Sequence, residues 1–395
     1  MKINFTKNEF IGCLIFCTFL KVSSLEYLAP VLNDLWDMIK IMVFLILLGV
    51  YIFSSLKMGL NKIFIYILAY GVSLLISTLI NKGSIFQFIV AFSGILSIYF
   101  YIDIFIIKLH NRLETMILPI KVLLFINIIS WIINPKGMYV SLTNFGTYYS
   151  SENWILGSKN AYFPFIFFVL VINYIRNIKM NGKIKLRCED IFLYCLCCIN
   201  IFFISKSSTT IIGSVMLLGY LLICKINIRK TKIIFHSCIV LTVVIFLGLV
   251  VFREYNPAIK LVSNLLGKDI TLTGRTYIWD NSIKAISNKV FFGYGFENVM
   301  KTLDLLHQST SHNKYLWILY RGGIVNFIIC VNIIKIILNK IYINIENHYS
   351  QLFIWVLFII FTVWQTEVYD NNMLIFAIIL LSYYIDKLIK KEYKN

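Results

Sequence analysis

Charge is scarce in this chain, and acid is scarcest: only 14% of its 395 residues are charged, 37 of them Lys or Arg against 19 Asp or Glu. That poverty, with a mean hydropathy of +0.79, excludes an ordinary soluble domain. Five prolines leave the apolar runs almost unbroken. No HExxH helix is present, nor a GxxxxGK[ST] phosphate loop, nor a GxSxG elbow. The common signatures of a zinc peptidase, a P-loop nucleotidase and a serine hydrolase are therefore missing. The nine cysteines fall within apolar runs or at their basic ends, so a disulfide outside the membrane is not expected. Cys195, Cys197 and Cys198 have no histidine beside them and read as small core residues, not metal ligands.

What is present is hydrophobic length. Stretches such as "IFIYILAYGVSLLISTLI" at 63–80 and "IIFHSCIVLTVVIFLGLVVF" at 233–252 are continuous, unlike the short alternating segments of a membrane β-barrel. The fold class is an all-α polytopic membrane protein of about twelve spans, each of roughly 17–25 residues. They are expected near 8–27, 38–56, 63–80, 85–107, 115–134, 160–176, 190–205, 209–224, 233–252, 313–333, 350–366 and 371–388. The first has Lys2 and Lys7 before it, as a signal peptide would, but Lys21 interrupts it and no small-residue cleavage site follows. It reads as an uncleaved helix, and residues 1–395 as one integral membrane domain.

The net charge of +18 is an orientation signal more than a nucleic-acid footprint. Lys57, Lys62, Lys108, Arg112, the 176–187 cluster, the 225–232 cluster, Lys335, Lys340 and the tail lysines all fall on one side of the alternating spans. Glu26, Asp34, Asp37, Glu367 and Asp370 fall on the other. The positive-inside rule then places both termini in the cytoplasm. It also places one long segment, 253–312, outside, where the remaining loops are short. Within that segment Ile278, Trp279, Ile283 and Ile286 recur at helical spacing, as in an amphipathic helix lying in the interface. Arg275 then stands at its first turn, facing the headgroups.

The polar residues beside the outer ends of spans form a short list: Arg275, His312 with Asn313, Lys206, Lys159 with Asn160, Arg253 and Glu367. Singly, the basic ones are ordinary snorkelling side chains. Together they offer cations, an imidazole and a carboxylate on one face. Gly293 and Gly295 in "GYG" read as a turn, since a lone glycine pair makes a poor phosphate cradle. Tyr148, Tyr149 and Trp154 in the 135–157 loop can stack on sugars, yet they fit an interfacial aromatic belt better.

"LTGRTYIW" (272–279), "FFGYGFENV" (291–299) and "SHNKYLWILYRGGI" (311–324) together resemble the signature region of the O-antigen polymerase (Wzy-type) and O-antigen ligase superfamily. "GSKNAYF" (157–163) and "SKSSTTIIG" (205–213) resemble upstream elements of it, with Lys206 where the family usually has arginine. The motif-bearing part spans roughly 155–325; the remainder is alike only as apolar helices. The resemblance implies a GT-C-like membrane glycosyltransferase at the outer face of a bacterial plasma membrane. It implies repeat units carried on undecaprenyl pyrophosphate as donor and acceptor, no nucleotide sugar, no cofactor and no metal. A chain-length regulator or a flippase would be the accessory partners, and nucleic acid is not among them.

On that reading Arg275, His312 and Glu367 are catalytic, while Lys206, Lys159, Asn160, Arg253 and Asn313 bind substrate. Gly274, Trp279, Gly293 and Gly295 are structural, Trp279 as an interfacial anchor. A departing pyrophosphate needs cations, and guanidinium fits phosphate oxygens best. An attacking hydroxyl needs a base, for which His312 or Glu367 is available. A ligase passing a finished glycan to another acceptor is the alternative within this chemistry. A transporter or flippase of lipid-linked sugars is the alternative outside it, disfavoured because the ionisable groups gather at the outer face and not at mid-membrane.

Overall fold

The computed structural model describes residues 5–143, 148–150, 152–182, 187–224, 230–252, 274–370 and 372–389. Arg253 lies outside them. Apolar helices run from end to end: α1 (Lys7–Thr18), α2 (Ser24–Leu28), α3 (Pro30–Met58), α4 (Lys62–Ile80) and α5 (Ile85–Tyr101). There follow α6 (Glu114–Ile133), α7 (Tyr162–Asn181), α8 (Cys188–Ile199), α9 (Ser208–Ile223) and α10 (Thr231–Phe246). The last group is α11 (Arg275–Asn288), α12 (Val299–Leu306), α13 (Lys314–Ile343), α14 (His348–Val363), α15 (Met373–Tyr383) and α16 (Ile385–Ile389). Among the described residues, eight helical stretches are long and apolar enough to cross a membrane, accompanied by the shorter apolar α9, α14 and α15.

The departures from the expected spans have local causes. The first helix stops at Thr18, and Lys21, which follows it, pairs with Asp37 at 2.6 Å. Pro30 opens α3 well before the expected residue 38, because proline at the first helical position gives up no needed N–H. One small antiparallel ribbon, β1 (Ser141–Thr143) with β2 (Tyr148–Ser150), interrupts the all-helical pattern. Tyr148 and Tyr149 belong to β2, and their side chains lie outside what is described.

α7 is the centre. Every residue from Tyr162 to Ile178 on it is buried, as in a helix surrounded by others. It packs against α6, α9, α14 and α15. The periphery is the reverse: on α3, Val31 is 73% exposed and Phe53 75%, an apolar face that no described residue covers. A soluble protein would aggregate through such a surface; in a bilayer it meets acyl chains.

The polar groups collect at the two ends of this bundle. At one end Arg176 donates to Asp190 at 2.6 Å, Lys108 pairs with Asp103 at 2.8 Å, and Lys340 pairs with Asp386 at 2.9 Å. At the other end lie the N-termini of α7, α9 and α13, the C-terminus of α14 and the short helices α11 and α12.

α13 is broken at Gly323, whose φ of 62° and ψ of −166° leave the helical region. The freed backbone is not orphaned. Tyr294 N–H donates to Tyr320 O at 2.8 Å, Gly295 N–H to Arg321 O at 2.7 Å, and Ile324 N–H to Val290 O at 2.8 Å. The 290–296 turn thus plugs into the break. Glycine is required there: a Cβ on Gly293 would sit 2.5 Å from Tyr320 O, and one on Gly295 2.5 Å from Thr78 Cα.

Candidate active site

The carboxylate of Glu367, only 4% exposed, is held just past the end of α14, where its N–H still donates to Val363 O at 3.0 Å. Four elements converge on it. The Arg275 guanidinium donates to Oε1 from the first residue of α11. Asn160 Nδ2 donates to the same oxygen at 3.2 Å from the turn before α7, and Thr209 Oγ1 at 3.4 Å from the start of α9. His312 Nδ1 stands 4.0 Å from Oε2, just before α13.

Each position has a backbone reason. Gly274 takes a left-handed φ of 78° as the cap of α11, a conformation that costs glycine little, and this turn sends Arg275 inward. His312 has a left-handed φ of 47°, a strained setting for a non-glycine residue. Asn313 holds the next turn: its Oδ1 caps Tyr315 and Leu316, and its Nδ2 donates to Gln365 O at 3.0 Å. That bond ties the start of α13 to the 364–367 turn and so fixes His312 relative to Glu367.

A buried carboxylate without a counter-charge is costly. Here the guanidinium of Arg275 neutralises it. Among the described residues that guanidinium makes one side-chain hydrogen bond, to Glu367, and a guanidinium carries further N–H donors for an anion. Burial lowers the His312 pKa from its usual 6.5; Glu367 opposes that shift and Arg275 adds to it. The imidazole is consequently neutral near pH 7 and has a lone pair to take a proton.

The two upstream motifs are stitched together at the same place. Ser207 Oγ donates to Asn160 Oδ1 at 2.7 Å, Ser205 Oγ donates to Lys159 O at 2.7 Å, and Tyr369 OH donates to Asn160 O at 3.4 Å. Lys206 sits between those serines in a left-handed turn, with φ 49°, and like Lys159 it is exposed at the rim.

Some expectations change. Arg275 turns to Glu367, not to the headgroup layer, and its side chain is only 13% exposed. Trp279 is fully buried against Val250 and Leu316, so it is a packing residue and not an interfacial anchor. The buried face of α11 is Ile278, Trp279, Ser282 and Ala285; Ile283 is 46% exposed. Ser282 can be buried because its hydroxyl donates back to Ile278 O at 2.7 Å. Trp154 is also buried, donating to Asn134 O at 2.8 Å, and takes no place in an aromatic belt. Cys197 is a core residue as expected, whereas Cys195 is exposed on the outside of the bundle.

Sequence reading passed over Ser207, Thr209 and a second charged cluster. Asp370 receives Lys314, Trp317 Nε1 at 2.6 Å, and Arg321 Nη1 at 3.4 Å. Burial alone would raise the Asp370 pKa, but Lys314 and Arg321 bring it below the ordinary value. Glu297 is buried as well, bound by Tyr320 OH and by Thr302 Oγ1 at 3.3 Å, and burial raises its pKa.

Residues 193–331 match the O-antigen ligase family, Wzy_C, consistent with the O-antigen polymerase and ligase superfamily. The match takes in Lys206, Thr209, Arg275, His312 and Arg321, and leaves Asn160 and Glu367 outside. No curated protein matches the chain.

Proposed function

We propose that this protein is a polysaccharide repeat-unit polymerase, joining oligosaccharides carried on undecaprenyl pyrophosphate at the outer face of a bacterial plasma membrane. The observation that carries the reading is the convergence of Arg275, His312 and Glu367, from three separate segments, at one end of an apolar bundle. The match of residues 193–331 supports the glycan chemistry. The basic residues at the far end of the bundle, among them Arg176, Lys108 and Lys340, support a cytoplasmic far end, cytoplasmic termini and an external active site.

The reaction is a displacement at an anomeric carbon. The acceptor sugar hydroxyl attacks, the new glycosidic C–O bond forms, and the bond to the pyrophosphate oxygen breaks. Neutral His312 takes the hydroxyl proton. The pyrophosphate departs with its extra negative charge on the N–H groups that Arg275 does not spend on Glu367, with Lys206 and Lys159 at the rim. Cations aimed at the leaving group before reaction act as a preorganised electrostatic stabiliser, so no metal is required for this step. Glu367 keeps Arg275 oriented and balances the imidazolium once His312 is charged. Asn160 and Thr209 fix that carboxylate.

The ligase reading keeps the same chemistry with a different acceptor, and the family description favours it. Deletion of the gene followed by electrophoresis of cell-surface glycan separates the readings. Single repeat units on the surface support the polymerase. Long chains retained on the carrier lipid would replace it with the ligase. Accumulation of lipid-linked units on the cytoplasmic side would replace it with a flippase.

A further inference from the structure

A cavity of about 510 Å³ opens between α4, α5, α13 and α15, within the usual size range of ligand pockets. Its walls are apolar: Leu74, Phe92, Ile318, Phe327, Val331 and Phe376 are typical. Residues of α5 that reach it are open to the bilayer side, with Phe86 72% and Val90 49% exposed. Among the described residues its charged lining groups are Lys314, Arg321 and Asp370, with both cations on the one carboxylate.

Lys314 and Arg321 share one lining carboxylate, Asp370, so the lining itself carries an excess positive charge at the end of an otherwise hydrocarbon-lined cavity; Glu297, outside the lining, is a further acid acting on Arg321. The Arg321 guanidinium lies 4.3 Å from the Phe296 ring centroid and 4.4 Å from that of Trp317, which holds its plane. Its contact with Asp370 is one long hydrogen bond, so N–H donors remain for a further anion. A soluble sugar would find few hydrogen-bonding groups here, and an uncharged hydrocarbon would leave the cationic end unmatched. A hydrocarbon chain ending in phosphate matches both.

We propose that this cavity binds the isoprenoid chain of a lipid carrier, with Lys314 and Arg321 on its phosphate. The inference rests on the glycan-polymerising reading and adds a second cationic centre to the one at Arg275. Lys314 lies two residues from His312, and Asp370 three from Glu367, so the same two chain segments carry both clusters. Asp370 is occupied by Lys314, Trp317 and Arg321 and offers no base, which makes this a holding site and leaves the chemistry to His312.

The test is photolabelling of the purified full-length protein with an undecaprenyl phosphate analogue bearing a diazirine in its chain. Label is expected on peptides of 85–101 and 318–334, displaced by unlabelled undecaprenyl phosphate but neither by phosphatidylglycerol nor by inorganic pyrophosphate. Ala91→Trp, which fills the cavity, and Arg321→Gln, which removes its excess charge, should each lower that labelling about tenfold or more. Unchanged labelling in both variants, or label only on helices that do not line the cavity, overturns the site while leaving the polymerase reading standing. Equal competition by phosphatidylglycerol would make it a groove for bulk lipid, and by pyrophosphate a simple anion site. No labelling of any peptide would sink both this inference and the polymerase reading.

Discussion

Arg275 and Glu367, 92 residues apart in sequence, form a buried ion pair that fastens α11 to the end of α14. Truncating one partner of such a pair strands the other charge, which typically costs about 3–5 kcal/mol. Arg275→Ala should therefore lower both polymer formation and thermal stability in detergent. Adding Glu367→Gln to it should recover much of the stability, since no unpaired carboxylate remains, but none of the activity. Arg275→Ala is expected to lose about 10²–10³ in turnover, as one leaving-group donor does. Arg275→Lys should lose most of its activity as well, because an ammonium cannot serve Glu367 and an anion in the geometry of a guanidinium. A double variant that polymerises normally would reduce the pair to a structural clasp.

The glycines give a graded comparison. Gly323→Ala would place a methyl group 2.2 Å from Phe291 O at a φ of 62°, and Gly293→Ala one 2.5 Å from Tyr320 O at 61°. Both collide with backbone that cannot yield without pulling the 290–296 turn out of the α13 break. Gly274→Ala meets no atom of the described residues within 4 Å and suffers the left-handed φ of 78°, a strain of about 1 kcal/mol. Thermal unfolding in detergent should thus rank Gly274→Ala close to the native protein and the other two far below it. Equal midpoints for all three would show that the plugged break does not hold the 290–296 turn and α11 in place.

Much of the site was legible because polarity is rare here. Arg275, His312, Asn160 and Glu367 stand out from apolar surroundings, and the helix ends bring them together. Lys314, Arg321 and Asp370 are equally polar, yet a lysine or arginine near a helix end looks the same whether it snorkels or faces a cavity. Trp279 illustrates the complementary failure: on a short amphipathic helix, a tryptophan for the membrane interface and one for a protein core have the same spacing. What separates them is Leu316 on α13 and Val250 after α10, contacts that no local pattern contains. Helix bounds depart from the apolar runs where a proline, not hydropathy, sets the boundary, as at Pro30.

Topology is testable at the two bundle ends with one reagent. Ser287 is exposed on α11, and native Cys188 is exposed at the start of α8, beside the basic cluster. With the basic end inside, a membrane-impermeant maleimide should label Ser287→Cys in intact cells, or in spheroplasts if an outer envelope intervenes. Cys188 should react only after lysis. The opposite pattern would invert the protein and move the Arg275 site to the cytoplasm.

His312 makes the final prediction, because burial sets its charge. The folded-state pKa lies below the ordinary 6.5, pushed down by burial and by Arg275 against the pull of Glu367. A proton acceptor with a depressed pKa stays competent into mildly acidic medium, so activity should hold below pH 6.5 and fall only as the folded-state value is crossed. The stability sign follows the same difference. Below 6.5 the unfolded chain takes up the proton first, so His312 costs no stability above that pH, and stability declines as pH drops toward the folded value. His312→Gln cannot take the proton. It should lose about 10²–10⁴ in turnover wherever native His312 is neutral, and it should also abolish this part of the acid decline in stability. The measurements are polymer formation in membrane vesicles and thermal unfolding, each across pH 5 to 8. A His312→Gln protein that polymerises with the native pH profile would remove the imidazole from the chemistry and leave Glu367 as the group to test for taking the hydroxyl proton.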